Sequence, residues 1–398
     1  MSCELFRLNV SGLNLSDEEA EKMVWDLENN EAKQKLGAIL FIGIVLLVGF
    51  LGNILVCIVY HLKFAPSTSK YFIMSLAIFD LLSCTIALPG EIIDLRFDYH
   101  FNIPTFCRVM RFTITLSTCA SVVLLVAIAV DRYRKICRPF ENQMSLKETK
   151  LWIGLAVGVA LSLALPAVLL YGQKSGTIAG VETSDCSFDK KYRDTLFPKV
   201  YLGITGALCL LSFVILIVLY VLIVVKVWKQ RQKRKRMYML TMKGNPPVTS
   251  STASLAEAAK KKDCLTVKTV EAETELPENG SAFDIRLLNP EAKQRSKAHQ
   301  KQTIKTTVML FLVTLVFIIS FIPHFALQIL SILSPGYVTK IHCSPAALVA
   351  FKLFLRSYFI NCSSNPIIYS FCNDKFRAEC KALLSKLFCM SSSFKANK

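Results

Sequence analysis

The chain has 398 residues, 53% of them hydrophobic, with a mean hydropathy of +0.43 and a net charge of +18. It is too apolar for an ordinary soluble domain, so its length counts membrane spans rather than domains. The positive charge invites a nucleic-acid partner, and its placement between apolar segments excludes one.

Residues 1–35 are polar and acidic and show no signal peptide, so the first span is expected to act as an uncleaved anchor. Asn9-Val-Ser11 and Asn14-Leu-Ser16 make Asn9 and Asn14 glycosylation candidates. Asn279-Gly-Ser281 and Asn361-Cys-Ser363 read as chance matches, one cytoplasmic and one inside a span. Ser16 with Glu19 forms a capping box. About 17–35 is therefore either a short amphipathic helix carrying Met23, Val24 and Leu27, or a disordered acidic tail.

Runs free of Asp, Glu, Lys, Arg and His cover 36–60, 71–79, 112–130, 151–172, 200–225, 306–323 and 357–373. Asp80 interrupts the second span, His324 splits the sixth, and Lys352 and Arg356 stand near the outer end of the seventh. Most runs reach the roughly 20 residues a helix needs to cross hydrocarbon. Seven such runs read as seven helices. With the amino terminus outside, the inner segments 61–70, 131–150, 226–305 and 373–398 hold 32 of the 47 Lys and Arg residues. That asymmetry sets the carboxyl terminus inside, and the basic run 229–236 faces anionic inner-leaflet lipid.

Cys107, at the outer start of the third span, and Cys186, in the loop after the fourth, both face the oxidising side and are expected to form a disulfide. Cys3 and Cys343 are also outside and can pair. The inner loop 227–304 breaks in composition and is expected to be largely disordered, with the fifth and sixth helices extending into it. Its hydroxyl cluster 249–254 and Ser391–Ser393 are sites where phosphorylation would add charge for a regulatory partner. After Tyr369, Leu383, Leu384, Leu387 and Phe388 recur at helical spacing among basic residues, which describes an interfacial helix. Cys389 at its end is a palmitoylation candidate.

Certain residues recur in a fixed order: Gly52-Asn53, Leu76-Ala77-Ile78-Phe79-Asp80, Asp131-Arg132-Tyr133, Trp152, Tyr220, Phe317 with Pro323, and Asn365-Pro366-Ile367-Ile368-Tyr369. In this combination the chain resembles the rhodopsin-like (class A) G-protein-coupled receptors, of neuropeptide type. The resemblance spans all but the first 35 residues and most of the long inner loop. It implies an all-α membrane protein: an extracellular acidic segment over 1–35, a seven-transmembrane helix bundle over 36–372, and a short amphipathic juxtamembrane helix with a cytoplasmic tail over 373–398.

The same resemblance implies that Asp131 restrains Arg132 at rest. Freed, Arg132 faces Tyr220, Tyr369 and a heterotrimeric G protein as the sixth helix swings outward. Many relatives add an acidic restraint at the base of the sixth helix. Here no Asp or Glu stands between Glu291 and Asp374, Thr303 is the nearest equivalent, and basal activity is expected. Phe140 reads as a knob for a G-protein pocket, or as an interfacial anchor. Asp80, Ser121, Asn361 and Asn365 stand where the family holds a modulatory sodium ion; the alternative is a protonated Asp80 bonded to Asn365. Cys362, where serine is usual, departs from that set, as do Ser212 (usually proline) and Phe321 (usually tryptophan). No other cofactor is implied. Arrestin, receptor kinases and membrane lipids are the further partners expected at the plasma membrane.

Ile114 replaces the aspartate of amine receptors, and Phe359 replaces the retinal lysine of opsins. The upper bundle offers Arg108, Arg111, Lys352 and Arg356 beside Glu91 and Asp94, with His324 and Gln328 on the wall. Arg356 either pairs with Glu91 or Asp94, or remains a free cation for a carboxylate. The first reading is a receptor for an extracellular peptide. The second is a receptor for a small anionic metabolite or lipid mediator. A transporter or channel would need repeats or a polar conduit, which are not seen, and no nucleophile–base pair or metal-ligand cluster supports an enzyme.

Overall fold

The structure is a computed structural model describing residues 16–244, 290–334 and 344–396. The chain divides into two compact units, Met1–Ile223 with Ile304–Lys398, and Val224–Thr303. The described residues of the second unit are helical. Most of 227–304 lies outside the described residues, as do Asn9, Asn14, Asn279, Cys3, Cys343 and the side chain of Cys389.

A backbone that crosses hydrocarbon must satisfy its own polar groups, and helices do so within one segment. Among the described residues, six helical segments are long and apolar enough to cross: α2 (Leu36–Lys63), Thr68–Arg96, α5 (Pro104–Cys137), α6 (Leu146–Leu170), and the membrane portions of α8 (Phe197–Gly244) and α9 (Pro290–Leu333). The segment Thr68–Arg96 comprises α3 (Thr68–Leu82), a π turn at Ser83–Ala87 and α4 (Leu88–Arg96). Pro89 has no N–H to give the preceding turn, and the wider π turn falls where that bond is lost. The seventh span is a bent pair, α10 (Pro345–Leu355) and α11 (Ile360–Cys372). A 3-10 turn at Ser357–Phe359 joins them, with a 48° change of direction.

Close approach of the first and seventh spans depends on two glycines. A Cβ on Gly52 would stand 2.6 Å from the Pro366 ring, and one on Gly49 would stand 3.0 Å from the Cys362 carbonyl. Asn53 fills the space beside them, its amide donating to Gly49 O (2.8 Å) and Cys362 O (2.7 Å). At the far end, α12 (Asp374–Ala396) is longer than the short helix expected, and Phe376 packs against Tyr60 of α2. In α8, Ser212 donates to Leu208 O (2.8 Å), so the position that lacks proline keeps the helix unbroken.

The helical bundle carries a two-stranded element outside its spans. Residues 171–188 form a hairpin, β1 (Tyr171–Ile178) and β2 (Val181–Phe188), paired from Tyr171↔Phe188 to Ile178↔Val181. Ala179 and Gly180 turn it, both at positive φ (53° and 86°), the two-residue turn whose twist matches paired strands. By sequence the segment reads only as the loop after the fourth span, because Ala179 is a poor marker for that turn. Cys186 in β2 is disulfide-bonded to Cys107 at the start of α5, so the hairpin is pinned to the third span.

The acidic segment before the first span is the helix α1 (Asp17–Gln34), with both bonds of the Ser16–Glu19 capping box formed. This settles the choice between helix and tail. Ala20, Val24 and Leu27 are buried, as are the carboxylates of Glu28 and Glu31. Glu28 accepts from His100 Nδ1 (2.6 Å) and Tyr99 N (3.2 Å), Glu31 accepts from the Tyr99 hydroxyl (2.8 Å), and Trp25 stacks on His100. Lys35 bridges Glu31 and Asp98. The loop 97–102 is in turn tied to β2 through Ser184 N to Tyr99 O and Phe101 N to Ser184 O. A chain of contacts therefore runs from α1 through this loop and the hairpin to the disulfide.

Burial works against ionised Asp98, yet Lys352 and Lys35 hold its carboxyl below the ordinary range. Its contribution to docking is thus present above the usual Asp value of about 3.9 and is lost only as pH falls through its lower folded value. In hydrogen–deuterium exchange, Glu28→Ala should raise exchange across 17–34 at pH 7 while Pro104–Cys137 stays protected. Unchanged exchange in 17–34 would show that docking does not depend on this carboxylate.

Candidate functional site

Functional side chains gather at two ends of the bundle: the hairpin end, beside β1 and β2, and the Arg132 end, where α5 finishes.

At the hairpin end four charged residues from three spans form a closed network. Glu91 Oε2 accepts from Arg356 Nε (2.6 Å) and its Oε1 from Arg111 Nη1 (3.1 Å). Asp94 Oδ2 accepts from Arg356 Nη2 (3.0 Å) and Arg111 Nη2 (3.4 Å). Glu91 and Asp94 lie one turn apart on α4 and so present two acceptors on one face. Of the two fates open to Arg356, the structure takes pairing, and with both acids at once. Arg111 is paired in the same way and also lies over the Tyr171 ring. Arg108 is tied to Tyr171 O (3.2 Å) and Asp189 (3.4 Å). The cation cluster the sequence offered is therefore largely neutralised from within.

Other wall residues take definite places. Ile114 packs between the apolar cluster around Leu88 and Phe359 and the one around Cys107 and Met110. Gln328 and Lys352 are half-buried. His324, a candidate for a polar contact to a ligand, donates from Nδ1 to the Leu355 carbonyl (2.6 Å). Below it, Phe321 stacks among Phe213, Phe317, Phe325 and Tyr358. A phenyl ring in that cage leaves no indole N–H to satisfy. Pro323 lies inside α9 at the same level.

In mid-bundle, Asp80 is buried and accepts from Asn365 Nδ2 (2.8 Å), one residue before Pro366. Asn361 donates to Ser320 Oγ (3.0 Å), which leaves its own side-chain oxygen to accept. Ser117 and Ser121, one turn apart on α5, are both buried, and Ser117 Oγ has no partner among the described residues. Cys362 lies with Cys84 in an apolar cluster.

At the Arg132 end, Asp131 Oδ2 receives Arg132 through Nε (3.0 Å) and, more closely, Nη2. It also receives Lys135 Nζ (3.0 Å). Arg132 donates to Ser69 Oγ (2.8 Å), and Lys135 to Thr68 Oγ1 (2.6 Å). Asp131 and Arg132 are buried and Tyr133 is half-buried. The Tyr220 hydroxyl accepts from Thr314 (3.2 Å), and the Tyr369 hydroxyl is buried without a partner among the described residues. Phe140 is 95% exposed, at the edge of a cavity of about 730 Å³ lined by Val130, Tyr133, Arg134, Arg138 and Glu141.

At the base of the sixth span stands an exposed ion pair of the opposite polarity to the one that relatives carry. Lys305 of α9 is ion-paired to Asp374 at the start of α12. That bond and the proximity of Lys305 hold the Asp374 carboxyl below its ordinary value. The family pattern places an acid on the sixth span, whereas here the base of that span carries Lys305 and the acid lies beyond the seventh. Thr68, Ser69 and Lys135 were also missed. Only Lys135, four residues after Asp131, carried a local signal.

A bundle of seven spans, with a balanced charge network at one end and a caged arginine at the other, defines a membrane receptor rather than an enzyme. The sequence profile described as "7 transmembrane receptor (rhodopsin family)" matches residues 52–369, and the chain belongs to that family. It is 26% identical over 351 residues to the human (Homo sapiens) Neuropeptide FF receptor 1, an alignment covering 87% of this chain and 69% of that protein.

Removing one partner of a buried pair strands the other's charge, at a cost of about 3–5 kcal/mol. Glu91→Ala and Arg356→Ala should each lower the melting temperature of the purified receptor. The double variant should lose less than the two single losses added together. Full additivity would mean that the pair is not coupled.

Proposed function

We propose that this chain is a cell-surface receptor for an extracellular peptide that activates heterotrimeric G proteins by outward movement of the sixth span. The hairpin end faces outward and the Arg132 end inward, as the basic residues of the loops favour. The neuropeptide receptor relative supports a peptide ligand. The observation that carries the choice of peptide over small anion is the engagement of both Arg111 and Arg356 by Glu91 and Asp94. An anion entering there would have to displace a carboxylate already paired in a poorly hydrated site, whereas a peptide has the surface formed by α1, the loop 97–102 and the hairpin to bind.

Ligand binding favours a state in which Arg132 leaves Asp131 and Ser69 and meets the G protein, with Phe140 as a second contact. By linkage, G protein bound inside raises ligand affinity outside. Asp80, Asn365, Asn361 and Ser121, with the unpartnered Ser117 hydroxyl, form a donor set of oxygens that suits a hard cation. In this reading they hold a sodium ion that favours rest, and Cys362 belongs to the apolar packing instead. Receptor kinases and arrestin act on the inner hydroxyls, and the basic inner segments meet anionic lipid.

The test is G-protein activation in cells expressing the chain, screened against neuropeptides and tissue-extract fractions with and without protease treatment. Activity destroyed by protease establishes the peptide reading. Activity that survives would transfer it to a small anionic ligand. Basal signalling above that of empty cells is expected at matched surface expression. Lys305→Ala and Asp374→Ala should each raise it further, modestly, since the pair is exposed. No rise from either would remove this ion pair as a restraint.

A further inference from the structure

The bend in the seventh span is where its backbone bonding changes partners. In a continuous helix the Phe359 N–H would bond to the Leu355 carbonyl, four residues earlier. Here it donates to Arg356 O (3.1 Å), the tighter 3-10 pattern, and the Leu355 carbonyl loses its intrahelical partner. A carbonyl inside a helical bundle, even one only part-buried, costs free energy if left unmet. His324 of the sixth span supplies the missing donor from Nδ1 at 2.6 Å. A carbonyl only accepts, so the proton in this bond is on Nδ1.

The flanking residues extend the arrangement in both directions. Ser357 Oγ donates to Ser320 O (2.6 Å) and Asn361 Nδ2 to Ser320 Oγ (3.0 Å), both on the sixth span. Tyr358 packs on His324 and Phe321 with ring centroids 4.9 and 5.5 Å apart. Between them, Arg356 reaches the opposite way to Glu91 and Asp94 on the second span. The bend is thus a crosspiece. Arg356 reads the charge network, and its neighbours grip the sixth span.

We propose that His324 is a positioning residue for activation, holding the bent joint and the sixth span together through the Leu355 carbonyl. The proposal rests on the receptor reading above and names the element that couples its two ends. Ligand binding that rearranges the hairpin end, and with it the pairing of Arg356 to Glu91 and Asp94, lets the joint straighten. Phe359 N–H then returns to the Leu355 carbonyl, and His324 and the sixth span are released. Each backbone group exchanges one hydrogen bond for another, so the two states lie close in energy and a ligand can bias them.

The experiment uses the full chain in lipid nanodiscs, read by hydrogen–deuterium exchange, with basal G-protein activation measured in cells alongside. His324→Phe keeps a ring in the aromatic cage and removes the donor, while His324→Asn keeps a donor near the Nδ1 position. His324→Phe should speed exchange at the joint, 355–361, and also at 304–312 of the sixth span, and raise basal signalling about fivefold. His324→Asn should stay near wild type in both. If His324→Phe does not yield folded protein, Ser357→Ala probes the same joint, with the same paired effect expected. Faster exchange confined to 355–361, with 304–312 and signalling unchanged, would overturn the proposal and leave the bond a local one. The paired exchange pattern without G-protein activation from wild type or variants would uphold the coupling and refute the receptor reading.

Discussion

Arg356 is a buried guanidinium, cut off by protein from most of the water that would solvate it at a surface. A charge there persists only if the protein answers it, and here Glu91 and Asp94 do so together, sharing the task with Arg111. Much of the hairpin end follows from that requirement. The second, third and seventh spans must approach closely enough for four side chains to meet. Arg356 is also the residue at which the seventh span changes direction, so the network fixes both the position of that span and the place of its bend.

The same pressure, to give a buried polar group a partner, shapes other levels of the bundle. The Leu355 carbonyl freed by the bend is met by His324, and the Asp80 carboxylate by Asn365. Arg132 is met by Asp131 and Ser69. Each of these bonds crosses between spans or holds a side chain that could reach across, and each can be exchanged for another. A receptor needs arrangements of this kind, stable enough to specify one state and close enough in energy to a second that a ligand can choose between them. At the hairpin end α1 adds an element that the spans do not require. It is held by Glu28 and Glu31 against a loop that is itself hydrogen-bonded to the hairpin.

Much of this was legible beforehand because membrane helices announce themselves through length and apolarity, which are local properties. Asp131-Arg132-Tyr133 and Asn365 to Tyr369 placed the Arg132 end, and the cysteines at 107 and 186 placed the disulfide. The capping box at Ser16 and Glu19 gave α1 its start. What stays open in the sequence is what depends on partners distant along the chain. Arg356 can be read as free or paired, and the bond from His324 to the Leu355 carbonyl has no local sign, because the helix break behind it has no sequence signature. Lys305 and Asp374 are 69 residues apart and on different helices, so an acid sought on the sixth span could not be found there. The hairpin escaped notice because Ala179 stands where a turn of that type usually advertises itself with glycine or asparagine.

The sequence by itself determined how many times the chain crosses the membrane and which family it belongs to, since hydrophobic length and ordered motifs are properties of the chain alone. Only the tertiary structure decided which charges are spent within the protein and which surfaces remain for a ligand. That outcome depends on distances between spans. In a medium without water, those distances determine whether a charge or a bare carbonyl finds its partner.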